Sequence, residues 1–184
     1  MTRHTVPSKE FWTVTPFAFS TPDGWSARPT VEHLAYSSRD DEPSTNLGVQ
    51  WKRVSHRLEL RQVAQMTQNL LRHIDNTMEV RMSRFGRLHG RMSYLRIADF
   101  TPEGGARKRQ VYTAFFGPSF GLDRPIELFE LVGHFDVDGP DRLEELSDIV
   151  RSFQLGAESF GGESAPSGRG LTPADDDITD EVTS

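Results

Sequence analysis

Residues 45–74 read TNLGVQWKRVSHRLELRQVAQMTQNLLRHI, and the spacing of the hydrophobic residues changes within this stretch. Over Thr45–Val54 apolar and polar residues alternate, which is the period of a half-buried β-strand. Over Leu58–Ile74 the apolar residues recur at helical spacing, and they are Leu60, Val63, Met66, Leu70, Leu71 and Ile74. The stretch therefore predicts a strand that leads into an amphipathic helix with one buried stripe.

Strand-like segments are predicted on both sides of this pair. Two precede it, at Phe11–Ser20 and Val31–Ser38, and four follow it, at Met78–Leu88, Arg91–Phe100, Arg107–Phe116 and Ile126–Val137. His89-Gly90 predicts a hairpin turn between the first two of the later strands. The last strand has apolar residues on both faces, which predicts a central position in the sheet.

A second helix is predicted over Pro140–Phe153. Pro140 suits the first turn, and Asp138 and Gly139 are candidates for its cap. Its buried stripe is predicted to consist of Leu143, Leu146, Ile149, Val150 and Phe153. Because two helices can cover only one face of a sheet fully, part of the opposite face is expected to stay exposed.

The predicted fold class is α+β, with a single antiparallel sheet of about six to seven strands flanked by two main helices. The order of elements is β-β-β-α-β-β-β-β-α. Residues 11–155 are predicted to form the domain, residues 1–10 a flexible N-terminus, and residues 156–184 a disordered acidic tail, because that tail has too few apolar residues to offset the entropy of ordering.

The negative charge of the chain is concentrated in the tail. The formal net charge is -6, and residues 156–184 alone carry it, with Arg169 as the single base. The acids are Glu158, Glu163, Asp175, Asp176, Asp177, Asp180 and Glu181. Since non-specific binding to phosphates needs a basic excess, we do not expect nucleic acid as a partner of the whole chain.

Several classes of protein are not expected from the residues present. The chain has no cysteine, which excludes disulfides, thiolate zinc sites and a cysteine nucleophile. The N-terminus has no apolar signal region, and no run approaches a membrane span, so the expected location is the cytoplasm.

The sequence contains no recognisable catalytic motif. The histidines, which are His4, His33, His56, His73, His89 and His134, form no metal-binding or triad spacing. Asp136–Asp141 resembles a calcium loop but lacks the regular third ligand before the glycine and the bidentate Glu at its end, so a helix cap is preferred. We therefore expect no catalytic residues, no metal and no cofactor, and a protein that is not an enzyme.

Four motifs carry a resemblance to a known family. They are Phe17-Ala18-Phe19 followed by Thr21–Trp25, the strand Leu47–Arg53 leading into the long helix, Gly90–Tyr94, and Ile149–Phe153. With the order of elements, these motifs resemble the PsbP/Mog-like superfamily over residues 11–155. Within it the chain looks most like the DcrB-like group, which includes the EagR effector chaperones.

The resemblance implies a single antiparallel sheet flanked by helices and a role in binding proteins. The EagR chaperones are cytosolic and shield hydrophobic segments of secreted effectors before export. The related LpqN-like group is exported and lipid-anchored, and this sequence differs by lacking the signal and the cysteine. No binding residue of the family can be assigned to a position in this chain.

Two surfaces are candidates for binding a partner. The first is basic and comprises Arg81, Arg84, Arg87, Arg91, Arg96, Arg107, Lys108 and Arg109. It is interpreted either as a solvated sheet face with edge protection or as a site for an acidic partner, RNA or the chain's own tail. The second is aromatic, and each of its residues could instead belong to the core; it comprises Tyr94, Tyr112, Phe115, Phe116, Phe120 and Phe129. The residues selected as partner-binding candidates are Tyr94, Tyr112, Phe116, Phe129, Arg81, Arg84, Arg91 and Arg109.

The predicted function is a non-enzymatic cytosolic adaptor or chaperone that binds a protein client. The client is expected to be a secreted effector or toxin with apolar segments, with a homodimer as one arrangement of the adaptor. The alternatives are a carrier of lipid or a small apolar ligand, and a structural subunit of a secretion or phage-like assembly.

Overall fold

The computed structural model describes residues 1–6, 15, 17–31, 34–42, 44–118 and 125–156. The strands are β1 (Thr2–Val6), β2 (Phe17–Thr21), β3 (Trp25–Val31), β4 (Leu34–Arg39), β5 (Asn46–Val54), β6 (Glu79–Leu88), β7 (Arg91–Phe100), β8 (Lys108–Phe116), β9 (Ile126–Asp136) and β10 (Gln154–Leu155). The helices are α1 (Leu60–Ile74) and α2 (Leu143–Arg151).

Seven of these strands form one antiparallel sheet in the order β3-β4-β5-β9-β8-β7-β6. This sheet and the two helices confirm the predicted α+β fold class. β9 lies between β5 and β8, so the prediction of a central last strand is also confirmed. His89 and Gly90 both have positive φ, 49° and 77°, as a two-residue hairpin turn requires.

The first part of the chain contains more strands than the sequence analysis predicted. The strand predicted at Val31–Ser38 corresponds to β4, and β3 is an additional strand that pairs with it. β1 lies within the N-terminus that was predicted to be flexible, and it pairs with β2. β10 pairs with the other edge of β2, so a three-stranded sheet lies beside the large one.

The two helices lie on opposite faces of the large sheet, which corrects the expectation that both cover the same face. Alternate residues of β8 show this, because their side chains point to opposite faces. Tyr112 and Ala114 pack in a cluster with Val63 and Ala64 of α1. Val111 and Phe115 pack in the main core with Leu146, Ile149 and Val150 of α2.

The α2 face also carries the three-stranded sheet. Phe17 and Phe19 of β2 are buried in the main core. α2 approaches β9 closely at Gly133, where a Cβ atom would lie 3.0 Å from Leu146 Cδ1. The predicted buried stripe of α2 is confirmed, since Leu146, Ile149, Val150 and Phe153 are buried and Leu143 is partly buried.

Both helices begin later than predicted. α1 begins at Leu60, and the Glu59 N–H donates to Gln62 Oε1 at 2.9 Å as part of a capping box. α2 begins at Leu143, three positions after Pro140, and the Leu143 N–H donates to Asp141 Oδ1 at 2.9 Å. Pro140 therefore precedes the helix, and Asp141 satisfies the first free N–H group.

Some predictions concern residues outside the described part of the chain. Residues 7–14 and 16 of the N-terminal region, Phe120, and the tail from residue 157 onward belong to this group.

Candidate functional site

The aromatic residues predicted to bind a partner are mostly buried. Tyr94 is 1%, Tyr112 3% and Phe129 0% exposed. Tyr94 and Tyr112 lie beneath α1, whereas Phe129 packs in the main core against Phe115, Phe17 and Phe153. These three residues therefore belong to the core and not to an exposed aromatic surface, because a helix covers each face of the sheet. Phe116 is half-buried against the same cluster as Tyr112.

The hydroxyl group of Tyr112 is part of a buried polar chain. It donates to Glu130 Oε1 at 2.5 Å, and Lys52 Nζ lies 2.7 Å from Glu130 Oε2. Burial raises the pKa of Tyr112 well above its usual range, and the negative charge of Glu130 adds to this effect. Tyr112 is therefore a neutral donor that helps to bury the Glu130 carboxylate.

Helix α1 exposes three large apolar side chains on one side. Met66 is 63%, Leu70 62% and Ile74 51% exposed. Their spacing of four residues aligns them along the helix. We call these three residues the α1 ridge. The sequence analysis placed them in the buried stripe of the helix, but α1 buries only Val63, Ala64 and Leu71.

A smaller apolar pair lies on the same face of the sheet as α1. Phe85 of β6 is 45% exposed, and its ring packs 5.2 Å from that of Tyr94. Met92 of β7 is 55% exposed and lies two residues before Tyr94, so it points to the same face.

Two of the four predicted partner-binding arginines form ion pairs within the chain. Asp99 has a fully buried side chain, and Arg109 Nε and Arg81 Nε donate to its carboxylate at 2.7 and 3.0 Å. Hydrogen bonds from Arg109, with that from Arg81, hold the pKa of Asp99 below its usual range. Arg81 also lies 2.7 Å from Glu79 Oε1. Arg81 and Arg109 therefore stabilise a buried carboxylate.

The other two predicted arginines have no carboxylate partner in the described ranges. Arg84 is exposed on β6 and Arg91 is half-buried at the start of β7. Arg84 is paired across the strands with Leu95, and Arg91 with Leu88. Both leucines pack against the main core, and directly paired residues point to the same face, so both arginines lie on the α2 face. Between them the facing pair is Gly86 and Ser93. We call Arg84 and Arg91 the hairpin arginines.

Arg96 is a buried cation on the α1 face. It is 2% exposed and lies 5.0 Å from the centre of the Tyr112 ring. Arg96 Nη2 donates to Gln110 Oε1 at 2.7 Å, and Gln110 Nε2 lies 3.1 Å from His134 Nε2. Its Nε and Nη1 atoms have no partner among the described residues. Burial lowers the pKa of Arg96.

The described residues offer no metal-binding constellation. No group of three or more His, Cys, Asp or Glu side chains with metal-binding geometry occurs among them. Within the same ranges, no helix is long and apolar enough to cross a membrane.

Comparison with known proteins identifies the fold. No family model and no curated protein matches the chain. The structure is similar to LpqN of Mycobacterium tuberculosis, a protein involved in cell envelope biogenesis, with a TM-score of 0.64, 10% identity and coverage of 84% of this chain and 91% of LpqN. It is similar to PsbP of the cyanobacterium Synechocystis (CyanoP), with a TM-score of 0.55, 12% identity and coverage of 84% and 91%.

A third similar structure is the Ran-binding protein Mog1p of Saccharomyces cerevisiae, with a TM-score of 0.51, 12% identity and coverage of 88% of this chain and 100% of Mog1p. The chain therefore has the PsbP/Mog1-like fold that its motifs resemble. At these identities the similarity establishes the fold and no shared function.

Proposed function

We propose that this protein is an adaptor or chaperone that binds a protein client through the α1 ridge. The observation that carries the proposal is the exposure of Met66, Leu70 and Ile74, three large apolar side chains aligned on one helix. Apolar surface of this kind gains free energy when it is covered, about 25 cal/mol per Å². A contiguous exposed apolar patch is a common mark of a protein-binding surface.

The spacing of the ridge suits an apolar helix as the binding element. Side chains at i, i+4 and i+8 form a ridge that fits the groove of a partner helix. α1 contains Arg61 and Arg72 and no acidic residue, so a partner segment without excess positive charge is favoured. This chemistry agrees with a client that has apolar segments, such as a secreted effector or toxin.

The main core gives less support to the carrier alternative. Phe17, Phe115, Phe129 and Phe153 have ring centres 5.1–5.9 Å apart and fill the space between α2 and the large sheet. A lipid would have to displace this aromatic packing to bind there.

The finer features of the proposal rest on the resemblance of the motifs. Within the superfamily that its four motifs resemble, the chain looks most like the DcrB-like group, which favours a cytoplasmic chaperone of an exported protein and a role without catalysis. One solved structure of the same fold is named a Ran-binding protein, which provides an example of this fold binding a protein.

Photo-crosslinking in the native host tests the proposal. A photoreactive residue replaces Leu70 in one variant and Gln65 in the control, an exposed position about 140° away around the helix. We expect one protein with predicted apolar helices to be captured from position 70 and not from position 65. The same adducts from both positions, or none from position 70, would contradict the proposal.

A further inference from the structure

The C-terminal segment 157–184 leaves the described structure on the sheet face that carries the hairpin arginines. Leu155 of β10 packs against the main core, as do Leu88 and Leu95 on either side of the hairpin turn. Arg84 and Arg91 point to this same face of β6 and β7. The segment therefore begins on the arginine side of the sheet, and α1 lies on the other side.

The start of the segment is also close to the hairpin. His89 Nε2, in the β6–β7 turn, lies 2.7 Å from the carbonyl oxygen of Arg151 at the end of α2. Because an extended chain spans at most about 3.5 Å per residue, the Cα atoms of Gly156 and Arg91 are no more than about 35 Å apart.

The hairpin arginines form a surface to which an extended acidic chain can bind. They are separated along the strands by the Gly86–Ser93 pair, and a Cβ atom built at Gly86 would meet nothing within 4 Å. The missing side chain at Gly86 therefore leaves open space on this face between the positions of Arg84 and Arg91, where an extended backbone with flanking carboxylates would fit. Arginine binds carboxylates with two parallel hydrogen bonds, which favours ordered pairing over diffuse attraction.

We propose that the acidic segment 157–184 of this same chain binds across the hairpin arginines. Glu158 and Glu163 follow Gly156 closely, and Asp175, Asp176, Asp177, Asp180 and Glu181 follow further along. Arg84 and Arg91, which have no carboxylate partner among the described residues, and the acidic segment are complementary in charge. Because the surface lies opposite the α1 ridge, this inference stands independently of the proposed function.

Connection within one chain favours the chain's own segment over an acidic partner. A Gly- and Ser-rich chain of this length has a root-mean-square reach of about 30 Å, comparable with the distance to be spanned. Such a tether gives an effective concentration of about millimolar, which a partner in solution seldom reaches. Charges attract over only about 8 Å at physiological salt, so the contact is expected to weaken as salt is added.

Paramagnetic broadening in the full-length protein tests this inference. The chain has no cysteine, so a Thr179→Cys variant accepts a single nitroxide label within the acidic segment. At low salt we expect loss of amide signal intensity at residues 84–93, recovery of that intensity after reduction of the label, and recovery at high salt. The label should leave amides of β3 unaffected, because β3 lies at the opposite edge of the large sheet from β6.

Two charge-matched variants provide the decisive comparison. Arg84→Gln with Arg91→Gln should abolish the broadening, whereas Arg61→Gln with Arg72→Gln, which removes the same charge from α1, should preserve it. Amide spectra of both variants establish that they are folded. Broadening that is absent, uniform from β6 to β3, or unchanged by Arg84→Gln with Arg91→Gln would overturn the inference.

A mixed sample separates the chain's own segment from that of a second copy. Labelled protein without ¹⁵N is mixed with unlabelled ¹⁵N protein, so that only contacts between copies cause broadening. We expect none at residues 84–93. Broadening there would overturn the inference and assign the surface to another copy's acidic segment.

Discussion

At the scale of single residues, His134 is held in its neutral form by its surroundings. Its Nε2 lies 3.1 Å from Gln110 Nε2, a donor, because Gln110 Oε1 already accepts from Arg96. Its Nδ1 lies 3.4 Å from Asn46 Oδ1. Burial, with the nearby positive charge of Lys108, lowers the pKa of His134 to about 4. Protonation of Nε2 would therefore place two donors against each other.

This arrangement predicts a specific dependence of stability on pH. Unfolded His134 binds a proton below about pH 6.5, whereas the folded residue does so only below about pH 4. The free energy of unfolding should therefore fall as pH is lowered from 6.5 to 4, by roughly 3 kcal/mol from this residue.

Urea unfolding across that pH range measures the effect. His134→Gln should lose the contribution, and His73→Gln, which removes an exposed histidine from α1, should retain it. A pH dependence that is the same in both variants would show that His134 does not cause it.

The burial of individual side chains was the feature that the sequence predicted least well. Tyr94, Tyr112 and Phe129 were correctly placed on strands, yet their side chains are buried. Arg81 and Arg109 lie far apart in sequence from each other, and only the register of β6, β7 and β8 brings them to Asp99. A pattern of residue types cannot supply this register, so it could not separate paired arginines from unpaired ones.

At the scale of elements, α1 combines a narrow buried side with an exposed apolar side. Leu71 is 3% exposed and packs with Ala98 and Phe100, whereas its neighbour Leu70 is 62% exposed. The hydrophobic period predicted the helix and its length to within two residues. It could not distinguish these two leucines, because both belong to the same wide apolar stripe.

The two leucines are therefore predicted to have different roles. Leu71→Ala should lower the free energy of unfolding by about 2–4 kcal/mol, because it leaves a cavity beneath the helix. Leu70→Ala should change it by less than about 0.5 kcal/mol, because the side chain is mostly in solvent. Denaturant unfolding of both variants checks this. A similar loss in both would mean that the ridge is part of the core.

At the scale of the whole molecule, the large sheet is covered on both faces. The sequence predicted its antiparallel strands and central β9, because alternation and turn residues are local signals. It did not predict the three-stranded sheet, because β10 has only two residues and pairs with Ala18 and Phe17, distant in sequence. Which surfaces stay exposed depends on the elements that pack on each face of the large sheet. The position of a binding site could therefore not be predicted from strand patterns alone.

The α1 ridge and the hairpin arginines lie on opposite faces of the large sheet. A client bound at the ridge and the acidic segment bound at the arginines would therefore occupy separate surfaces. Binding of the client should accordingly be unaffected by Arg84→Gln with Arg91→Gln.

The most direct test of the proposed function is the dissociation constant for the purified client captured from position 70. Met66→Gln with Leu70→Gln should weaken binding at least about tenfold, since loss of two buried apolar contacts exceeds 1.4 kcal/mol. Phe85→Gln with Met92→Gln, which removes exposed apolar surface elsewhere on the same face, should leave the dissociation constant unchanged. Equal affinities for the ridge variant and the unaltered protein would contradict the assignment of α1 as the client-binding surface.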